Sequence, residues 1–179
     1  MKLFHTSDVV IEDPDIRHGR VNADFGQGFY LSPDYEFSRR WAKRDAYINE
    51  YELDTEDLHV VRLQRDEDWF EYIFHNRRAK DTIEADVIIG PIANDTIYDT
   101  LGMISSGYLE PKEALELLLI GPEYTQVAIK SDRAKAQLHW LSAKQVQVDE
   151  AVFEARRQEE LEYQQLFAKT MQRLAEDTE

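Results

Sequence analysis

At 179 residues, 42% of them apolar, the chain has the length and composition of one domain with a real hydrophobic core. It contains no cysteine, which excludes disulfides, thiolate metal sites and a cysteine nucleophile and suits a reducing compartment. Its net charge of −15 repels polyanions and argues against a general nucleic-acid or membrane-surface binder.

In chain order, Lys2 to His5 reads as a short buried strand. Ile11 to Asn22 carries Pro14, Gly19 and many charges without periodicity and is expected to be a loop. Phe29 to Leu31 is a strand. Ser32 is placed to cap a helix with Pro33 at its first position, and Phe37 and Trp41 then fall four apart on one face. Tyr47 to Leu53 reads as a strand with Tyr47, Tyr51 and Leu53 on one side, and Leu58 to Leu63 as another. Asp66 opens a helix with an apolar stripe of Trp69, Phe70, Ile73 and Phe74. Ala85 to Ile89 is a buried strand ended by Gly90-Pro91. Helices are expected over Thr96–Ser105 and Pro111–Ile120, parted at Gly107. Thr125 to Ile129 is a strand, Ser131-Asp132 starts a short helix, and Gln145 to Val148 is the last strand.

Glu150 to Glu179 has no glycine or proline and is rich in helix formers, so one long helix is expected. Tyr163, Leu166, Phe167, Met171 and Leu174 form an apolar face in its second half. That face either packs on the body or receives a partner or a second copy. The reading is a domain over 1–148 with a helical extension over 149–179. No signal peptide and no membrane-spanning run is legible, so the expected location is cytoplasmic.

Three separated segments carry polar or aromatic residues that packing does not require. They are Leu3-Phe4-His5-Thr6-Ser7, Asp24-Phe25-Gly26-Gln27-Gly28-Phe29-Tyr30-Leu31-Ser32 and Tyr124-Thr125-Gln126-Val127-Ala128. His5, Tyr30 and Gln126 on neighbouring strands are expected to line one cleft. Gly26 and Gly28 give a tight turn that a ligand can approach closely. Alone, His5 reads as a hydrogen-bonded core histidine and Tyr30 as an ordinary strand aromatic. Arg17 and Arg20 before the glycines, and Arg39, Arg40, Lys43 and Arg44 after them, make a local basic rim suited to a phosphate-bearing small ligand. Arg77, Arg78 and Lys80 form a third cluster. Asn94 and Asp95 most simply cap the helix beginning at Thr96.

These strings resemble the ADP-ribosyltransferase superfamily. More narrowly, they resemble a small bacterial family of that clan described as a domain of unknown function. The resemblance covers residues 2 to 148 and includes Asp86-Val87-Ile88-Ile89-Gly90-Pro91-Ile92-Ala93-Asn94-Asp95. It implies an α+β fold: a split β-sheet core with flanking helices, extended here by the long C-terminal helix. It also implies an NAD cleft between two small sheets. His5 would hold a ribose hydroxyl, with Thr6 beside it, and Tyr30 would stack on the nicotinamide. Gly28 would admit the cofactor to the backbone, Arg17 and Arg20 would clamp its pyrophosphate, and the loop from Glu12 to Asn22 would cover it. Gln126 takes the third position, giving a His-Tyr-Gln set where a glutamate is usual. Tyr124 stands where arginine-modifying relatives carry a second acid. Asn94, Asp95 and Tyr124 become candidates for holding the acceptor or the cleft loop.

The activity so implied is mono-ADP-ribosyl transfer from NAD, as substrate, to a macromolecular acceptor. The family's company implies the toxin of a toxin–antitoxin or phage-defence pair. Partners are then NAD, the acceptor, and an antitoxin or second copy at the terminal helix. The alternative is an inactive module that binds NAD or a partner. Other chemistries lack their motifs. Five histidines, at 5, 18, 59, 75 and 139, show no metal-ligand spacing. There is no serine elbow and no P-loop. Gly26-Gln27-Gly28 lacks the third glycine and following helix of a dinucleotide fingerprint.

Overall fold

The computed structural model describes residues 1–42, 46–77, 79, 81–93, 102–104, 106–147 and 150–177. The fold is α+β, built on two sheets. The first holds β1 (Lys2–Ser7), β3 (Ala46–Leu53) and β7 (Leu138–Val146) in the antiparallel order β1-β3-β7. The second holds β2 (Phe29–Leu31), β6 (Thr125–Ile129), β5 (Val87–Pro91) and β4 (Val60–Arg62) in the order β2-β6-β5-β4. Among the described strands only β4 and β5 run parallel, connected through helix α2 (Glu67–Asn76). The other described helices are α1 (Tyr35–Arg39), α3 (Pro111–Leu118), α4 (Asp132–Ala136) and α5 (Glu150–Asp177).

Alternation along the strands sorts the core into layers. Phe29, Leu31, Val127, Ile129 and Val87 leave one face of the second sheet and meet Leu3, Tyr51 and Leu53 of the first. Ile88, Ala128 and Tyr30 leave the other face and pack with Phe25 and with Trp69, Phe70 and Ile73 of α2. Phe4, Ala46, Ile48 and Val146 close the outer face of the first sheet, with Tyr35 of α1 against them. Among the described residues one isolated rung bonds the two sheets. The Phe4 amide donates to the Ser32 carbonyl at 2.8 Å and the Ser32 amide returns a bond at 2.9 Å.

Several expectations shift for identifiable reasons. Asp34, not Ser32, caps α1 and accepts from the Phe37 amide at 3.0 Å. Ser32 is engaged at the rung, and its hydroxyl donates to the Thr125 carbonyl at 3.1 Å. Gly90 and Pro91 are the last two residues of β5, paired with Gln126 and Thr125, so the strand ends there but includes them. β7 begins at Leu138, far earlier than Gln145, while Val148 lies outside the described residues. A bulge at Glu50/Tyr51 skips Leu141 in the pairing, which leaves Leu141 and Ser142 both exposed and destroys the alternation. Asp66 does cap α2 and Ser131 does cap α4. The helix expected over Thr96–Ser105 lies mostly outside the described residues, with Gly102–Ile104 helical. Among the described residues no helix is long and apolar enough to cross a membrane.

The terminal helix packs on the body through its second half. Leu174 is buried, and Phe167 and Met171 join it against Leu109 and Leu117. Leu166, expected on the same face, is instead exposed. Arg65 donates to the carbonyls of Leu118, Ile120 and Gly121, closing the C-terminus of α3 beneath it.

Candidate functional site

The glycine segment is folded onto the second sheet from both sides. A Cβ on Gly28 would sit 2.8 Å from the Ile129 carbonyl oxygen, and one on Gly19 would sit 2.4 Å from the Gly28 oxygen. The glycines are therefore required by the chain's own backbone, which approaches where a ligand was expected. Gln27 ties the covering loop down by donating to the carbonyls of Arg17 at 2.7 Å and Gly19 at 3.2 Å. Gly26 has φ +72°, which an L side chain rarely adopts. From beneath, the buried Lys130 ammonium holds the Phe25 carbonyl and the Asp81 carboxylate. Asp81 is kept below the usual carboxylate range. Burial opposes this, but hydrogen bonds from Lys130 and Tyr72 outweigh it.

Tyr30 rises from β2 into this turn. Its hydroxyl donates to the Gly26 carbonyl at 2.6 Å and accepts from the Phe25 amide at 3.0 Å. Its ring, Phe25 and Tyr72 form a column of nearly parallel aromatics, with centroids 6.4 Å and 6.2 Å apart. Burial raises the phenol pKa far above its ordinary value, so it stays protonated. Any stacking role falls to the ring face, because the hydroxyl is committed.

Gln126 stands on the same face of the sheet. Tyr30 pairs with Ala128, and Gln126 and Tyr124 follow at two-residue steps. The Gln126 amide is buried and its nitrogen donates to Asp24 Oδ2 at 2.9 Å, with the Pro91 carbonyl at 3.5 Å. Two acceptors on one side fix the amide's orientation and direct Oε1 away from them.

Asp24 is the organising residue that the sequence did not single out. Its Oδ2 also accepts from the Ala93 amide at 3.0 Å, its Oδ1 accepts from Arg77, and its carbonyl accepts from Asn76 at 3.1 Å. The Asp24 and Arg77 side chains are each 7% exposed, so this is a buried pair. The available signal was an Asn76-Arg77 step at the end of an apolar helix, together with the aspartate that opens the glycine string.

His5 is not part of that face. It leaves β1 on the side of Leu3 and packs against Phe29 at 4.5 Å between centroids. It reaches Tyr30 through the backbone, with Nδ1 donating to the Tyr30 carbonyl at 2.7 Å in the neutral Nδ1–H tautomer. Burial lowers its pKa, partly offset by that bond, which favours the neutral ring with Nε2 as acceptor. The expected single cleft of three side chains is thus corrected. Tyr30 and Gln126 share a face, whereas His5 stands at the rung between the sheets.

Other candidates separate as well. Thr6 points to the opposite face from His5 and donates to the Ser38 carbonyl at 2.5 Å, tying α1 to β1. Arg17 pairs with Asp132 at 2.5 Å, and Arg20 is an exposed loop residue. Asn94, Asp95, Lys43, Arg44, Arg78 and Lys80 lie outside the described residues. Among the described residues no cluster of His, Asp and Glu has the make-up of a metal site.

Tyr124 opens onto a cavity of about 690 Å³ between the body and α5. Phe37 stacks on the Tyr124 ring at 4.3 Å and meets Trp41 edge-on at 6.0 Å. The Arg40 guanidinium lies 5.0 Å over the Tyr124 ring and also donates to its hydroxyl. Burial and the bond to Glu159 both raise the Tyr124 pKa.

Residues 1–140 match the family described as a protein of unknown function (DUF3990). No curated protein and no solved structure matches the chain. The matched region ends within β7, so α5 lies beyond it.

Proposed function

The chain belongs to this family of unknown function, and from that premise we propose an NAD-dependent mono-ADP-ribosyltransferase. The observation that carries the reading is the junction of the two sheets. There a neutral His5 is held on the Tyr30 carbonyl, beside a glycine turn whose strand shares a face with Gln126. This agrees with the order of motifs in the superfamily that the sequence resembles.

Cleavage of the bond between ribose and nicotinamide develops positive charge on the sugar. An enzyme accelerates it by fixing the dinucleotide and offering electron-rich groups to that charge. His5 Nε2 is an available acceptor for a ribose hydroxyl. Gln126 Oε1, fixed by the bonds on its nitrogen, is a second acceptor with a preset direction. The Asp24 carboxylate behind the amide draws its N–H and enriches the oxygen, in part replacing the charge that glutamine lacks. Arg77 tempers that effect by neutralising Asp24. A bacterial toxin acting on a macromolecular acceptor is the corresponding biological role.

A second reading is favoured by one observation. Both the Gln126 amide nitrogen and the Tyr30 hydroxyl are committed to the chain itself, as in an inactive module that binds NAD or a partner. Incubation of the purified chain with labelled NAD and a bacterial lysate separates the two. His5→Asn is run alongside, because asparagine can still donate to the Tyr30 carbonyl. Label transferred by wild type, sensitive to protease or to nuclease, and lost with His5→Asn, supports the transferase and names the acceptor class. Label that stays on NAD leaves the binding module.

A further inference from the structure

The two halves of α5 are held by different forces. The second half is anchored by Phe167, Met171 and Leu174 on α3, with Arg173 paired to Glu116. Along the first half Phe153 and Leu161 are exposed, and Tyr163, where the halves meet, lies 6.0 Å from the Phe167 ring. The first half meets the body through charge. Glu159 accepts from Arg40 at 2.8 Å and from the Tyr124 hydroxyl at 3.0 Å, while the Arg156 guanidinium lies 5.3 Å over the Trp41 ring.

These contacts line the cavity onto which Tyr124 opens. Tyr124 stands two residues before Gln126, immediately ahead of β6. Ala93, another wall of the cavity, bonds the same Asp24 oxygen that holds the Gln126 amide. Arg156 of α5 lies over the Trp41 ring, which is otherwise exposed, while Tyr124 carries Phe37 and Arg40 of the body.

We propose that residues 150–164 form a releasable cover over the aromatic cleft of Phe37, Trp41 and Tyr124. Arg156 and Glu159 latch it, and it must lift before a planar ligand reaches the face carrying Gln126. The asymmetry of attachment makes this feasible. Partly exposed ion pairs are weak and salt-screened, so they release while the apolar anchor holds. That the cover regulates NAD turnover rests on the transferase reading; that it covers the cleft does not.

The test is hydrogen exchange on the full chain carrying Arg156→Ala and Glu159→Ala together, with labelled-NAD turnover measured on the same samples. Arg157→Ala is the control, since Arg157 is largely exposed and its ion pair is with the equally exposed Glu154 of the same helix. The expected result is exchange about tenfold faster over 153–162, with 167–174 as protected as in wild type. Turnover is expected to rise several-fold, and high salt should reproduce both changes in wild type. Unchanged exchange, or equal loosening over 167–174, overturns the cover. Loosening confined to 153–162 with NAD intact in every sample supports the cover and overturns the transferase reading.

Discussion

Two ion pairs flank the candidate site, and burial divides their roles. Asp24–Arg77 is sealed in the core, where the Ala93 amide and Gln126 bond the carboxylate and Asn76 bonds the Asp24 carbonyl. Arg40–Glu159 sits at the rim, with side chains 20% and 35% exposed, and joins the body to a helix outside the family match. The inner pair cannot release without leaving a charge in low dielectric, so it fixes geometry. The outer pair exchanges readily with water and ions, so it sets a position that can change. Permanence and adjustability lie two residues apart, with Gln126 bonded to the first pair and Tyr124 to the second.

The sharpest way to break the comparison is Asp24→Ala, which removes the buried carboxylate that faces Arg77. A loss of about 3–5 kcal/mol is expected, read by urea unfolding. Next comes Gln126→Glu. The new carboxyl would lie about 3 Å from Asp24, and the pair would share a proton. Its folded pKa is then raised, so stability is full at acid pH and lost as pH rises through that value. The expected loss is roughly 1–4 kcal/mol, measured by unfolding across a pH series. An unchanged series would show that the Asp24 contact is not electrostatic in effect.

Tyr30→Phe removes the group that serves the Phe25 amide and the Gly26 carbonyl, and should cost about 1–3 kcal/mol in the same assay. His5 supplies a gentler probe. Its lowered folded pKa means that its contribution to stability is complete above the ordinary value of 6.5 and is lost as pH falls through the folded value. His5→Asn should flatten that acid-side slope in the same pH series, and a slope that survives the substitution would assign the titration to another group. Smallest is Glu159→Gln, expected to change unfolding free energy by about 0–1 kcal/mol. A loss as large as that of Asp24→Ala would erase the distinction between the two pairs.

Local chemistry made much of the frame legible. The Phe29–Leu31 and Thr125–Ile129 strands, the Asp66 and Ser131 caps and the terminal helix follow from short-range pattern and are where expected. The site was less legible because its logic is long-range. Asp24 meets Gln126 across 102 positions and Arg77 across 53, and no local period marks such partners. Thr6 and His5 look like neighbours in one motif, yet strand alternation sends them to opposite faces. The Gly28 string suggested room for a ligand, whereas the near approach is the chain's own Ile129 carbonyl. Leu141 hid β7 because a bulge residue breaks the alternation by which strands are recognised.

The rung at Phe4 and Ser32 has a mechanical consequence. Two reciprocal amide bonds form a narrow stitch compared with the eight-residue ladder of β3 or the five-residue ladder of β5 with β6. A shear stress applied between the sheets concentrates there, as on a hinge pin. His5 is the next residue along β1 and its ring is bonded across the joint, so it acts as a strain gauge. Opening of one sheet against the other by a fraction of an ångström would be felt first at that imidazole, and its resonance would report the motion before any strand parted.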